Sequence, residues 1–268
     1  MSTPFPELPP LAEPAASLFP AVRQLRLARC ASTNNEVRDR IRAGEPEGLL
    51  VLADGQDAGR GRLGRLWHSP PGRNVYLTLL LRPPLAPELA PLVTLALALA
   101  GRAALRRGGV AAQIKWPNDL VVRIAEDRPL RKLAGIACEA VAGEPGGLAL
   151  AAGIGINVDM TADELPPDIA GTATSVRIET GRPGDRAAII AGLLESFAPL
   201  YLALAKDQGA SLLSEYAGAL DTVGREVRVD LGDRVATGTA IGIGALGQLR
   251  VRGEDGGVEE IMAGDVGF

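Results

Sequence analysis

Residues 53–74 read ADGQDAGRGRLGRLWHSPPGRN, and their middle, GRGRLGR at 59–65, sets three arginines among three glycines. The whole chain, in contrast, is acidic, with a formal net charge of −4 over 268 residues. Glycine lets the backbone approach an anion closely, and arginine binds phosphate through forked, charge-assisted hydrogen bonds. The stretch therefore predicts an anion-binding loop rather than an ordinary solvated loop.

Other kinds of glycine-rich loop fit this stretch less well. The glycines match G-x-G-x-x-G, which alone is a weak signal for a dinucleotide site or a kinase phosphate loop. A Rossmann site needs a helix at the third glycine, whereas Leu66–Gly72 holds two prolines and a turn. The sequence has no G-K-[ST], which excludes a Walker loop. An arginine–glycine segment can also neutralise a nucleic-acid backbone, but the acidic balance disfavours that use.

Apolar runs of strand type flank the loop, GLLVLA at 48–53 and NVYLTLLL at 74–81. A strand is predicted before them at 22–28, followed by a helix from Thr33 to about Ala43. Thr33 as N-cap with Glu36 three residues later predicts a capping box. Downstream we predict a long helix from Pro87 to Arg107, four strands in QIKW, LVVRI, RKLAGIACEAV and LALAAGIGINV, and helices over 185–206 and 212–219.

Three regions differ in character along the chain. Residues 1–20 are rich in proline and predict an irregular arm, too short for a helix-turn-helix domain. Residues 21–220 carry the long helices and strands of a catalytic domain. After Asp221 the segments become short and alternating, which predicts a small all-β barrel over 221–268.

Composition indicates a soluble globular protein, with 47% hydrophobic residues and a sequence pI near 5.3. The apolar stretch Leu92–Ala100 lies between prolines and arginines, so it predicts a buried helix too short to cross a bilayer. The N-terminal stretch has no basic leader followed by an apolar run, so we expect a cytoplasmic protein. Cys30 and Cys138 predict small core thiols rather than a disulfide.

Five stretches, taken together and in order, resemble the biotin protein ligases. They are STN at 32–34, GQDAGRGRLGRLWHSPPGRNVYLT at 55–78, KWPNDL at 115–120, KLAGI at 132–136 and GIGINV at 153–158. The resemblance implies an α+β fold, with a mixed-sheet catalytic domain related to that of lipoate ligases and a small C-terminal SH3-like β-barrel. It also implies a short form of the enzyme without an N-terminal DNA-binding domain.

Carried over residue by residue, the resemblance implies a biotin site and an ATP site. Short polar side chains suit the ureido ring of biotin in an otherwise apolar pocket. The residues implied to bind biotin are Ser32, Thr33, Gln56, Gly59, Arg60, Lys132 and Gly135. Those implied to bind ATP are Arg62, Arg65, Trp67, Lys115, Asn118 and Asn157. For Lys115 a salt bridge at the end of its strand is an equal alternative, and Trp116 is expected in the core.

The same resemblance assigns catalysis to Lys132, Arg62 and Asp119. The Lys132 ammonium would offset negative charge where the biotin carboxylate meets the α-phosphate. Asp119 would hold Mg²⁺ or orient the incoming lysine amine. The distance between Asp119 and Lys132 depends on the turn of the 120–131 hairpin, which looks longer than is usual for the family. His68, the only histidine, is expected to be a loop residue rather than a base.

The implied reaction makes biotinyl-5′-AMP from biotin and ATP, then transfers biotin to a lysine of a biotin carboxyl carrier protein. The arginine loop would close over the acyl-phosphate and exclude water. No nucleic acid or membrane is expected as a partner, and a homodimer is compatible with the resemblance. Alternatives are a lipoate or octanoate ligase or transferase of the same fold, a repressor fused to a ligase, and a non-catalytic biotin-binding protein.

Overall fold

The structure is a computed structural model and describes residues 7–20, 23–61, 64–123, 125, 129–142 and 147–268. Its α-helices are α1 (Ala15–Leu18), α2 (Thr33–Arg42), α3 (Pro91–Arg107), α4 (Val176–Thr180), α5 (Arg186–Asp207) and α6 (Ala210–Ala219), and two short 3-10 helices lie at Pro87–Leu89 and Ala162–Glu164. The first seven strands are β1 (Gln24–Cys30), β2 (Leu50–Gln56), β3 (Val75–Leu81), β4 (Gln113–Lys115), β5 (Asp119–Val122), β6 (Arg131–Val141) and β7 (Ala149–Ile156). The other five are β8 (Glu226–Asp230), β9 (Val235–Ile243), β10 (Leu249–Arg252), β11 (Val258–Ile261) and β12 (Asp265–Gly267).

The strands form two sheets, as expected for the predicted α+β fold. The larger sheet has the order β1-β2-β3-β7-β6-β5-β4. Only β1 and β2 pair in parallel among its described strands, so this sheet is mixed. The second sheet is antiparallel throughout, in the order β11-β10-β9-β8-β12. Its last strand, β12, was not predicted from the sequence.

The two faces of the larger sheet are covered differently. One face packs against α3 and α5 in the main core, because alternate residues such as Leu77 and Leu79 point toward these helices. The other face is covered in part by α2, whose Val37 and Ile41 pack on Leu80 of β3. Next to the N-terminus of α2 this second face carries small residues, and a cavity lies above them.

Two apolar helical segments pass the length and composition test for a membrane span, Pro87–Arg107 and Arg186–Asp207. Within the fold, 61% and 56% of their apolar windows are buried, respectively. Leu92, Leu97 and Ala100 of the first segment belong to the main core. The prediction of a buried core helix over Leu92–Ala100 is therefore confirmed.

The start of α2 differs from the prediction. Ser32 is the N-cap residue and its side chain makes no capping hydrogen bond. The backbone N–H of Thr33 donates to Gln56 Oε1 at 2.9 Å, and Glu36 instead accepts from Arg40 at 2.9 Å. The predicted capping box between Thr33 and Glu36 is therefore wrong, because a side chain of β2 satisfies the helix N-terminus in its place.

The described part of the N-terminal arm, residues 7–20, is not entirely irregular. It contains the short helix α1, with Ala15 and Phe19 fully buried in the main core. The Phe19 ring lies 6.3 Å from that of Phe197 on α5. Packing of this kind overrides the low helix propensity of a proline-rich segment. The boundaries proposed at residues 20 and 220 stay predictions.

The two sheets share one hydrophobic core. Val229, Leu249 and Val266 of the smaller sheet belong to the same buried cluster as Leu77. Trp116 is 1% exposed, and its indole Nε1 donates to the Gly247 carbonyl at 2.9 Å. The expectation that Trp116 is a core residue is therefore confirmed.

Both cysteines are free thiols, as predicted. Burial raises the pKa of Cys30 and of Cys138 from 9.0 to about 11. Near Cys30 the carboxylates of Glu36 and Asp57 act in the same direction. A higher pKa leaves less thiolate, the nucleophilic form, by about 100-fold at pH 8.

We expect iodoacetamide to alkylate the native protein at pH 8 at least tenfold more slowly than the urea-unfolded chain, measured by mass spectrometry, and equal rates would contradict the thiol environments described.

Candidate active site

A cavity of about 270 Å³ lies on the second face of the larger sheet, beside the N-terminus of α2. Most of the residues predicted from the sequence line it. They are Ser32, Thr33, Gln56, Arg60, Arg65, Trp67, Asn118, Asp119, Lys132, Gly135 and Asn157. The structure therefore brings together side chains that are up to 125 residues apart in the chain, from Ser32 to Asn157. Arg62 lies outside the described residues.

Gly59 and Lys115 do not line the cavity. A Cβ on Gly59 would lie 2.6 Å from Ser69 Oγ and 2.8 Å from the Trp67 carbonyl oxygen, so glycine is needed for close packing of the loop. Lys115 Nζ lies 5.8 Å from the centre of the Phe268 ring, and burial lowers the Lys115 pKa. The proposed ligand contacts of both residues stay predictions.

One end of the cavity is polar and belongs to α2 and β2. Ser32 and Thr33 are buried there at 5% and 4% exposure. Gln56 Oε1 accepts from the Thr33 N–H at 2.9 Å, while Gln56 Nε2 donates to Ser69 Oγ at 3.1 Å. Ser69 in turn donates to the Trp67 carbonyl at 2.8 Å. The Gln56 amide is thus held at both ends in one orientation.

The other end of the cavity is charged. Lys132 Nζ lies 2.7 Å from Asp119 Oδ1, and the side chains are 37% and 21% exposed. Strands β5 and β6 are antiparallel with Asp119 opposite Gly135, and a register shift between Leu120 and Val121 brings Val121 opposite Lys132. The predicted hairpin therefore places the ammonium and the carboxylate in contact, although part of its turn lies outside the described residues.

A row of glycines forms the floor of the cavity. Gly135 on β6 pairs with Gly155 on β7, and Gly155 pairs with Tyr76 on β3. A Cβ on Gly155 would lie 2.5 Å from Trp67 Nε1, and one on Gly135 would lie 3.2 Å from the Trp67 ring and 3.4 Å from Lys132 Nζ. In this structure the space beside Gly135 thus holds the Trp67 ring and the Lys132 side chain.

Trp67 lies next to the charged end. Its ring centre is 5.4 Å from Lys132 Nζ, within range of a cation–π contact. Its indole Nε1 is buried and has no hydrogen-bond partner among the described residues. A buried indole N–H usually finds an acceptor. The orientation of Trp67 therefore leaves one donor available beside Lys132.

The arginine loop reaches the second sheet. Arg65 forms an ion pair with Asp265 of β12, and both residues line the cavity. The Arg65 and Asp265 side chains are 69% and 42% exposed, so this pair contributes little to stability. Asp265 thus adds a residue of the small sheet to the site, and sequence reasoning missed it because no motif surrounds it.

Two asparagines of the motifs brace the cavity wall. Asn118 Nδ2 donates to the Ile136 carbonyl at 2.8 Å. Asn157 is 5% exposed, and its Nδ2 donates to the Thr174 carbonyl at 3.0 Å. The Lys132 backbone N–H donates to the Thr172 carbonyl, and the Lys132 carbonyl accepts from the Thr174 N–H. Thr172 and Ala173 also line the cavity, and no sequence signal pointed to them.

Comparison with known proteins agrees with this fold. The model of the biotin/lipoate A/B protein ligase family matches residues 27–159, and that of the biotin protein ligase C-terminal domain matches residues 222–268. The chain belongs to the biotin/lipoate A/B protein ligase family.

Several curated proteins and solved structures are similar to this chain. The biotin–[acetyl-CoA-carboxylase] ligase of Paracoccus denitrificans is 34% identical, over 90% of this chain and 99% of that protein. The bifunctional ligase/repressor of Bacillus spizizenii is 30% identical, over 88% of this chain and 71% of that protein. The biotin protein ligase from Aquifex aeolicus, solved in complex with biotin and ATP, has a TM-score of 0.76 and 26% identity, covering 91% of this chain and 97% of that one. The resemblance and fold class predicted from the sequence are confirmed, and the chain is a ligase of the biotin protein ligase type.

Proposed function

We propose that the chain attaches biotin to a specific lysine of a biotin carboxyl carrier protein through biotinyl-5′-AMP. The observation that carries the proposal is that one cavity joins the polar Thr33–Gln56 end to the Lys132–Asp119 pair. A ring that bears hydrogen-bonding groups fits the first end, and an acid that becomes an acyl-phosphate fits the second. Ser32, Gly59, Arg60 and Gly135 complete the proposed biotin site.

Lys132 supports the first step by its position. A biotin carboxylate oxygen attacks the α-phosphorus of ATP, forming a carbon–oxygen–phosphorus anhydride as the bond to the β-phosphate breaks and pyrophosphate leaves. Negative charge accumulates on the phosphoryl oxygens during this displacement, and a fixed ammonium stabilises it. The contact with Asp119 at 2.7 Å and the Trp67 ring hold Lys132 Nζ at this end of the cavity.

The nucleotide is assigned to the remaining cationic and amide groups. We infer that Arg62 and Arg65 face the phosphates, that Trp67 lies against the adenine, and that Asn118, Asn157 and Lys115 contribute on the nucleotide side. The exposed guanidinium of Arg65 is positioned at the cavity. Arginine forks match phosphate oxygens, which supports this assignment.

Mg²⁺ fits this site as a companion of the nucleotide. Among the described residues no group of three His, Cys, Asp or Glu side chains is arranged to hold a metal. Mg²⁺ in nucleotide sites is commonly bound by substrate phosphates and one or two carboxylates. Asp119 is the carboxylate that we propose for this role, and bound Mg²⁺ would neutralise phosphate charge.

In the second step an acceptor lysine amine attacks the acyl carbon of biotinyl-5′-AMP. A carbon–nitrogen bond forms, the carbon–oxygen bond to the phosphate breaks, and AMP leaves with the bonding pair. We infer that Asp119 orients the attacking neutral amine, which gives up one proton to water as the amide forms. We infer that the acceptor is the biotinyl domain of a carboxylase carrier subunit in the cytoplasm. Neither step requires nucleic acid or a membrane. All assigned residues come from one chain, so either a monomer or a homodimer could carry out both steps.

The test is acid-dependent exchange of pyrophosphate into ATP, with biotin, lipoate and octanoate compared as the acid. We expect exchange with biotin at micromolar concentration and at least 100-fold weaker exchange with the other two acids. A preference for lipoate or octanoate would reassign the substrate. If biotin bound but no exchange occurred, the chain would be a non-catalytic biotin-binding protein.

Arg65 provides a prediction about the nucleotide side. Arg65→Ala should raise the KM for ATP about tenfold, because a charge-assisted phosphate contact is lost, and should change the KM for biotin less than twofold. Asp265→Asn is the matched control, since it removes the ion-pair partner but keeps the arginine. This control should not raise the KM for ATP. Parallel rises of both KM values in Arg65→Ala would argue against a phosphate contact.

A further inference from the structure

A chain of hydrogen bonds runs along the polar end of the cavity. Two of its members, Asn34 and Glu139, line the cavity, whereas Thr78 does not. Arg38 donates to Glu139 Oε2 at 2.9 Å, and Asn34 Nδ2 donates to Glu139 Oε1 at 2.7 Å. Asn34 Oδ1 lies 2.7 Å from Thr78 Oγ1, which lies 2.8 Å from Thr33 Oγ1. The chain thus leads from a surface ion pair to a hydroxyl of the proposed biotin site.

The Asn34 amide has only one workable orientation. Its Nδ2 contacts two acceptors, Glu139 Oε1 and the Ala137 carbonyl oxygen at 3.0 Å. The flipped amide would turn its oxygen toward both acceptors, which is repulsive. Asn34 Oδ1 is therefore fixed as an acceptor toward Thr78.

The orientation of Asn34 determines the direction of the next two hydrogen bonds. Thr78 is fully buried and has a single hydroxyl hydrogen. Since Asn34 Oδ1 can only accept, Thr78 donates to it and has lone pairs left for Thr33. Thr33 Oγ1 is 2.8 Å from Thr78 Oγ1 and 3.3 Å from Gln56 Oε1, so its own hydrogen is better placed toward Thr78. Thr33 lines the cavity, and its hydroxyl oxygen is then left with lone pairs only for a ligand.

We propose that Glu139, Asn34 and Thr78 are positioning residues that make the Thr33 hydroxyl an obligate acceptor, and that they thereby select an acid whose ring carries an N–H donor. This inference rests on the proposed function. The ureido ring of biotin has such donors. The dithiolane of lipoate and the methyl end of octanoate have none.

Selectivity follows because a buried acceptor without a donor is costly. A site built to pair a ligand N–H rejects an analogue that lacks it, since its own polar group is left unsatisfied. Had the Thr33 hydroxyl been free to rotate, it could have pointed its hydrogen at a lipoate sulfur as a weak contact. The hydrogen-bond chain removes that choice, and its central member, Thr78, does so from outside the cavity lining.

The test compares Thr78→Val, which keeps the shape but removes the hydroxyl, with Thr78→Ser, which keeps the hydroxyl. The KM for biotin in pyrophosphate exchange and the inhibition constant of lipoate against that exchange are measured. We expect Thr78→Val to raise the biotin KM about fivefold to tenfold, the effect of one neutral hydrogen bond. Lipoate inhibition should weaken less than twofold, as should binding of ATP. Thr78→Ser should restore the ratio of the two constants.

The outcomes separate this inference from the proposed function. Absence of biotin-dependent exchange in the wild type overturns the proposed function. If the wild type shows exchange but the ratio of the biotin KM to the lipoate inhibition constant is unchanged in Thr78→Val, the positioning role is overturned. This holds whether both constants stay the same or both weaken equally, since equal weakening indicates a structural role alone. If Thr78→Val fails to fold, Thr78→Ala decides by the same ratio, because it also removes the hydroxyl and Thr78 does not line the cavity.

Discussion

Lys132→Ala should lower kcat for biotin-dependent pyrophosphate exchange by about 100-fold or more, with the fold unchanged. The reason is that the Lys132 ammonium is held in the cavity by Asp119 at 2.7 Å, where charge develops on the phosphoryl group. Loss of one such group commonly costs two to three orders of magnitude in kcat. Steady-state exchange and circular dichroism measure the two effects.

Matched variants separate charge from shape and from the loss of an ion pair. Lys132→Met keeps an unbranched chain beside Trp67 and Gly135, so it should be nearly as slow as the alanine variant. The double variant Lys132→Met with Asp119→Asn removes the unpaired carboxylate. If the double variant recovered wild-type exchange, the defect would come from Asp119 rather than from the missing ammonium. An exchange rate within threefold of wild type in Lys132→Met would remove Lys132 from the catalytic residues.

Trp116→Ala should destabilise the protein by about 3–5 kcal/mol, as is typical when a large buried aromatic side chain is truncated. Trp116 is 1% exposed, and its bond to Gly247 links the β4–β5 turn of the larger sheet to the β9–β10 turn of the smaller one. Trp116→Phe keeps most of the ring but loses the 2.9 Å hydrogen bond, so it should cost about 1–2 kcal/mol.

Urea unfolding followed by circular dichroism measures these free energies. The two variants should keep the wild-type KM values for biotin and ATP wherever they are folded, because Trp116 does not line the cavity. A loss below 1 kcal/mol for Trp116→Ala would show that the packing between the sheets is redundant.

Much of the site was predictable because its residues fall in short motifs. Ser32, Gln56, Asp119 and Lys132 were identified with their neighbours in sequence, and all line the cavity. Strand positions followed from apolar runs such as 74–81, which contains β3. Motifs and apolar runs are local patterns, so they can be identified without knowing which segments contact each other in the fold.

The residues that the sequence did not reveal act through tertiary contacts. Asp265 reaches Arg65 from 200 positions away in the chain, and no pattern encodes that meeting. Thr33 was predicted as an N-cap, but its hydroxyl belongs to a buried hydrogen-bond chain with Thr78. The helix α4 is only five residues long and too short for a periodic signal.

Because the two sheets share a single buried cluster, the molecule should unfold on heating as one cooperative unit. The smaller C-terminal sheet should not unfold before the rest. A cavity-forming change at Val229 or Leu249, both buried in the small sheet, would then reduce the population of the whole active form. In a screen for lost activity, substitutions in the small sheet would therefore be found among the inactive variants, with their catalytic constants intact in the fraction that remains native. A stabilising substitution in a distant helix would restore the total activity of these variants by raising their native population.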